Sequence, residues 1–220
     1  MKKLYTINTV NNFMDIIYRP FVEPYCRNNG IEAFNIMDDS LLHDTVQNGK
    51  ITPATAQRML HYAQAAQQSG AQGILVTCTS VNEATAMIRP FLQIPILNIE
   101  EPVAEAAVQS GGKIGILATL PTSPVAIERT IRQKAQELHV PVELEVKVAE
   151  GAFEKLCSGE RGEHDRMVCQ ALYELAETVD VIVFAQISMS LLPYDPTLVG
   201  KPVLKIGESG LQRIDELMSR

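Results

Sequence analysis

"KIGILAT", residues 113–119, restates "KLYTINT", residues 3–9, at an offset of 113 − 3 = 110. Both stretches open on lysine, close on threonine and carry apolar residues between. Two further matches follow in the same order. Arg58–Met59, in the helical pattern before "GILVTC", corresponds to Arg166–Met167 before "DVIVFA", at 166 − 58 = 108. "IPILNIEEP" corresponds to "KPVLKIGES", Pro95 against Pro202, at 202 − 95 = 107. One such match means little, but three in one order at nearly one offset describe a duplicated chain.

Around these anchors, short apolar runs alternate with helical patterns. The runs at 3–9, 31–37, 73–78, 95–99, 113–119, 142–148, 180–185 and 202–206 predict strands. Helices are predicted near 12–28, 53–69, 82–92, 101–110, 123–138, 162–178 and 208–219. Strands rich in Ile, Val and Leu and separated by helices argue for parallel sheet in an α/β fold. The duplication makes this two pseudo-symmetric, flavodoxin-like halves facing each other across a cleft. The first half takes residues 1–99 plus 205–220, and the second takes 100–204. Ligands of open parallel sheets bind beyond the carboxyl ends of the strands, so matching loops from each half are expected to line that cleft.

The totals narrow the function. The 220 residues suffice for a substantial core, and 46% hydrophobic with 20% charged residues is ordinary globular composition. A net charge of −7 disfavours nucleic acid and anionic membrane as partners. No apolar run approaches a membrane span, and "MKKLYTINTVNN" lacks the apolar core of a signal peptide, so a cytosolic protein is expected. Cys26, Cys78, Cys157 and Cys169 are too few and scattered for a disulfide framework, and free thiols are expected.

"GILVTCTS", residues 73–80, is where the chain turns from core to chemistry. Cys78 reads in two ways, as a reactive thiol at a strand end or as a small packing residue. Ser80 with Glu83 has capping-box spacing, which predicts a helix start just after the cysteine. Unpaired N–H groups there would favour an anion and make the thiol more acidic than its reference value of about 8.5. Thr79 and Ser80 supply donors suited to a carboxylate.

The repeat sets "VFAQIS", residues 183–188, opposite "LVTCTS", so that Ser188 matches Ser80 and Gln186 matches Cys78. It also sets Thr119, followed by "LPTS", opposite Thr9, followed by "VNN". Ser123 before Pro124 predicts a second capped helix start. Cys169 lies inside a helical pattern and reads as core or interface, whereas Cys157 sits by the "SGERGEH" loop and could enter the cleft. Cys157, His164 and Cys169 fit no standard metal spacing, so no metal is expected. His43 reads as a solvated loop residue, the Asp38–Asp39 pair as a solvated loop or a helix start, and His61 and His139 as surface helix residues. "GGKIG", residues 111–115, precedes its strand and reads as a turn rather than a phosphate loop.

A strand ending in Cys-Thr-Ser, duplicated halves and a Pro-x-Leu-x-Ile strand after the cysteine helix together resemble the cofactor-independent aspartate/glutamate/hydantoin racemase superfamily. The resemblance spans the chain from "YTINTVNN" to "VLKIGESG". It implies two cysteines, one per half, that remove and deliver a proton on opposite faces of the substrate α-carbon, with no cofactor. Cys78 matches the first. The second position is Gln186, whose amide has no usable proton-transfer pKa.

The expected function is therefore proton movement at the α-carbon of a small amino acid or related carboxylate. Cys78 and Gln186 stand at the reacting positions, with Asn11, Thr79, Ser80, Thr119, Thr122 and Ser188 binding substrate. A one-base decarboxylase or isomerase, as the arylmalonate decarboxylases of the superfamily suggest, and a carboxylate-binding relative without catalysis are the alternatives. Helices such as "ATAQRMLHYAQAAQQ" carry apolar stripes that would serve a homo-oligomer or the core equally.

Overall fold

The computed structural model describes residues 1–11, 13–121 and 123–220. Two compact units divide it, Met1–Ile99 with Gly207–Arg220 and Glu100–Ile206.

The first unit begins with β1 (Lys2–Asn8), a π-helix (Met14–Val22) and α1 (Glu23–Asn28). Next come β2 (Ile31–Met37), α2 (Ser40–Asn48), α3 (Pro53–Gln68) and β3 (Gly73–Val76). A 3-10 turn (Thr79–Val81), α4 (Asn82–Ile88) and β4 (Ile96–Asn98) complete its N-terminal run. The sheet runs β2-β1-β3-β4, all parallel, with Ile7 paired to Val76 and Thr6 to Asn35. Ile7, Ile74, Val76 and Ile96 point to one face and join Leu41, Met59, Ala63, Ala84 and Ile88 of the covering helices in one core.

The second unit contains α5 (Glu101–Ser110), β5 (Lys113–Ala118), α6 (Ser123–Leu138), β6 (Glu143–Val148) and α7 (Ala152–Cys157). It continues through α8 (Arg161–Ala176), β7 (Val181–Phe184), a 3-10 turn (Ile187–Leu191), α9 (Pro196–Val199) and β8 (Val203–Leu204). Its sheet runs β6-β5-β7-β8, again all parallel, with Leu117 paired to Phe184. Strand for strand, this is the order of the first sheet. Gly115 lets α8 lie close on β5, since a Cβ there would meet Leu175 and Val179 at 2.9 Å.

The chain then returns. α10 (Ile206–Met218) lays Ile214 and Met218 over Gly73 of β3, where a Cβ would come within 2.6 Å of Met218 Cγ. Gly210 of the same helix packs on the backbone of Ile99, whose carbonyl oxygen a Cβ would meet at 2.7 Å.

All eight predicted strands form. The helices differ in several places. The segment expected as one helix over 12–28 is a π-helix followed by α1, with Pro20 inside the π-helix, and a proline has no N–H for a regular α-helical ladder. Residues 40–48, expected as loop, form α2, so His43 is an exposed helical residue. α7 and α9 are short helices where loop was expected. His139 lies just past α6 rather than in it, at φ 55°, closing the helix in the left-handed region. Gly111 and Gly112 of "GGKIG" make the turn before β5 at φ 70° and 76°.

Candidate functional site

β3 is buried along its whole length, and its last pairing holds the residues that follow. Thr77 donates its N–H to Ile7 O at 3.1 Å and its hydroxyl to Asn8 Oδ1 at 2.8 Å. Asn8 Nδ2 in turn donates to Thr6 Oγ1 at 2.9 Å, and Thr6 Oγ1 to Asn35 Oδ1 at 2.6 Å. Thr6 and Asn8 are fully buried and Asn35 is exposed, so this polar chain ties β2, β1 and β3 together, with its β1–β3 part shielded from water. Its effect is to fix the backbone just before Cys78.

Cys78 has extended backbone, φ −105° and ψ 112°, and is the residue from which the 3-10 turn starts. Its carbonyl accepts from Val81 N at 3.3 Å. The thiol is half-buried against the first core. The turn begins at Thr79, two residues earlier than the Val81 start that the capping-box spacing suggests. Ser80 therefore lies inside the turn, exposed, and α4 starts from Val81 with no side-chain cap. The tight 3-10 turn takes the cap position away from Ser80, while Thr79 and Ser80 stay contiguous with the thiol.

The end of the neighbouring strand β1 carries Thr9 and Asn11. Asn11 is exposed and donates to Asp39 Oδ2 at 3.1 Å. Thr9 is 1% exposed, and its hydroxyl has no hydrogen-bond partner. A cavity of about 580 Å³ opens here between the β1 end and α2, lined by Thr9, Asn11, Asp39, Leu42 and Val46 among others.

Asp38 is no solvated loop residue. It is half-buried and accepts from Ser40 N at 3.0 Å and Tyr62 Oη at 2.9 Å, with Arg58 Nε 3.1 Å away. Burial alone would raise its carboxyl. The Ser40 and Tyr62 hydrogen bonds and the Arg58 charge outweigh that and hold it below the usual carboxylate range.

In the second unit, Ala185 N donates to Leu117 O at 2.9 Å, as Thr77 N does to Ile7 O. The next residue, Gln186, has φ −136° and ψ 138° and starts the 3-10 turn Ile187–Leu191. Thr119 donates both its N–H, at 2.8 Å, and its hydroxyl, at 2.9 Å, to Gln186 Oε1. Ser188 is half-buried in that turn. Thr122 lies outside the described residues. Ser123 is the first residue of α6 rather than the cap before it.

The remaining thiols differ sharply, and all are free. Burial, with Asp215 nearby, pushes Cys26 up to about 11. Cys169 is half-buried on α8, 3.6 Å from Pro193 O, and burial with the Asp165 charge raises it. Cys157 ends α7 and is exposed. Among the described residues, no group of three or more His, Cys, Asp and Glu side chains is arranged to hold a metal. No described helix is long and apolar enough to cross a membrane.

Sequence reasoning missed Thr9 and Asn8 as site-building residues. Their signal was present in the polar run "TINT" inside a strand otherwise built to be buried.

The Asp/Glu/Hydantoin racemase family matches residues 25–214. No curated protein matches the chain. The fold is similar to that of a Yersinia pestis protein assigned as an Asp/Glu racemase, at 20% identity and TM-score 0.75 over 100% of both chains. It is also similar to an aspartate racemase homologue from Pyrococcus horikoshii, at 16% identity and TM-score 0.72 over 100% of both chains. An arylmalonate decarboxylase superposes at 13% identity and TM-score 0.63, over 98% of this chain and 92% of that one.

Proposed function

Because this chain belongs to the Asp/Glu/hydantoin racemase family, we propose that it is an isomerase-type enzyme that moves a proton at the α-carbon of a small carboxylate through Cys78. The observation that carries the reading is the placement of Cys78. A half-buried thiol starts a turn at the carboxyl end of a buried strand, behind the rigid Thr77–Asn8–Thr6 chain. Such a position holds a thiolate steady against a carbon acid, and a base of this kind contributes roughly 10²–10⁴-fold.

In the proposed reaction the Cys78 thiolate takes the α-proton and becomes the thiol, leaving the electron pair delocalised into the carboxylate. N–H and hydroxyl groups of Thr79 and Ser80 stabilise the added negative charge. Return of the proton from the thiol closes the cycle. Gln186, at the matching position of the repeat, supplies no second acid, since an amide cannot exchange a proton with carbon. With glutamine at the position matching Cys78, the reading favours chemistry at one face of the α-carbon. Exchange with retention and proton-shift isomerisation use both halves of this cycle, whereas decarboxylation breaks the C–C bond to release CO2 and uses only protonation of the carbanion by the Cys78 thiol.

The test is proton NMR in heavy water with amino acids, hydroxy acids and substituted malonates. Deuterium entry at the α-carbon, lost in Cys78→Ala, supports the reading. Loss of optical purity with that exchange would call for a second acid besides Cys78. Binding without exchange in wild-type protein would leave only the carboxylate-binding relative.

A further inference from the structure

The cavity beside β1 and α2 says which substrates the proposed site accepts, an inference that rests on the proton-transfer reading of Cys78. Thr9 follows Asn8 on β1, and Cys78 follows Thr77 on β3, adjacent strands tied by the Thr77–Asn8 hydrogen bond. α2 packs against the turn that starts at Cys78. The cavity and the thiol thus lie at the same, carboxyl end of one sheet within the first unit, with Cys78 outside the cavity's own lining.

Its lining is chemically one-sided. Leu42 and Val46 give an apolar wall, and Asp39 is the only carboxylate among the described lining residues, which include no lysine or arginine. The nearby arginine is engaged elsewhere. Arg58 lies 3.1 Å from Asp38 and 2.9 Å from Asp44, so its charge offsets those two and not Asp39. His43 Nδ1 sits 3.6 Å from Asp44. Asp39 is met by Asn11, a neutral donor, at 3.1 Å. The Thr9 hydroxyl, buried and without a partner among the described residues, completes the lining together with His43 and Gln47, and Asp39 is the one carboxylate there.

We propose that this cavity receives the substrate's side chain and selects one bearing N–H donors, amide or ammonium, while excluding a second carboxylate. Asp39 is the residue that sets the choice. A distal carboxylate would face the exposed Asp39 as a like charge at the mouth of the cavity, whereas an ammonium or amide would meet an acceptor.

Racemic glutamate, glutamine and ornithine have similar side-chain lengths and end in negative, neutral and positive groups. Their binding to Cys78→Ala protein is measured calorimetrically, with and without Asp39→Asn, and their α-proton exchange is measured in wild-type protein. Asparagine keeps an acceptor for Asn11 and removes only the charge. Glutamine and ornithine should bind at least about tenfold tighter than glutamate, a difference of about 1.4 kcal/mol. Asp39→Asn should reduce the ornithine-to-glutamate preference by about the same factor. Tightest binding of glutamate, a preference unmoved by Asp39→Asn, or binding of none of the three would overturn the inference. Failure of exchange with the binding order intact removes the chemistry assigned to Cys78 and leaves the cavity's selectivity standing.

Discussion

Thr119 holds Gln186 by two hydrogen bonds to one atom, Oε1, at 2.8 and 2.9 Å across 67 residues of sequence. A backbone N–H can only donate, so the atom it meets is the amide oxygen and Nε2 must turn the other way. Gln186 is thereby made into a directed donor.

Gln186→Glu is expected to fold normally, because a carboxylate can accept both Thr119 hydrogen bonds. It should weaken binding of small carboxylates by about tenfold or more, since a donor becomes a like charge, a change on the scale of 1.4 kcal/mol. Thr119→Val should cost about 1 kcal/mol of stability through the lost hydroxyl bond. Calorimetric titration and urea denaturation check the two halves. Unchanged carboxylate affinity in Gln186→Glu would remove Gln186 from the binding site.

Thiol labelling should resolve the four cysteines into classes. Iodoacetamide at neutral pH is expected to reach exposed Cys157 and half-buried Cys78 before Cys169, and Cys26 last. Peptide mapping after short exposures reads the order. A clean assignment of Cys78 requires a Cys157→Ser background, because an exposed thiol labels whether or not it has a function.

Alkaline pH should weaken the fold around Asp215. Burial, then the Asp215 charge, raises Tyr25 to about 12, and the same two causes raise Cys26 to about 11. Both groups are kept neutral by the native state. Their contribution is complete below the unfolded values of 9.0 for the thiol and 10.0 for the phenol, and is lost as pH rises through about 11 and 12. Urea midpoints between pH 8 and 11 should fall, and Asp215→Asn should flatten that slope. An equal slope in both proteins would dissociate Asp215 from the effect.

His139 closes α6 with φ 55°, while Val140 N donates to Ala135 O at 2.9 Å. That is a helix stop usually given to glycine. His139→Gly should stabilise the protein by about 1 kcal/mol, read as a raised urea midpoint, because the left-handed strain disappears. A lowered midpoint would mean that the imidazole contributes something beyond the turn.

The strands were legible because parallel, doubly covered strands are written as continuous apolar runs; residues 31–37 coincide with β2 end to end. α2 was not, because it buries only Leu41 and Thr45, too sparse a stripe to stand out from loop. The start of the turn at Thr79 depends on how Thr77 is tied to β1, a contact across 69 residues that local spacing does not encode. In the same way the repeat matched Gln186 to Cys78, yet only the fold reveals that Thr119 orients the amide. Cys78, Thr79 and Ser80 were found together because they are contiguous. Thr9 and Asp39 come to line one cavity only in the fold.

The return of α10 onto Gly73 and Gly210's seat on Ile99 have a consequence during synthesis. Residues 207–220 leave the ribosome after the whole of residues 100–206, so the unit that begins first is finished last. Until then β3 exposes the glycine-lined strip meant for Met218, while the second unit, continuous in sequence, is free to complete itself. Chains truncated after Ile206 and released should show a protease-resistant second unit and a first unit still open to cleavage.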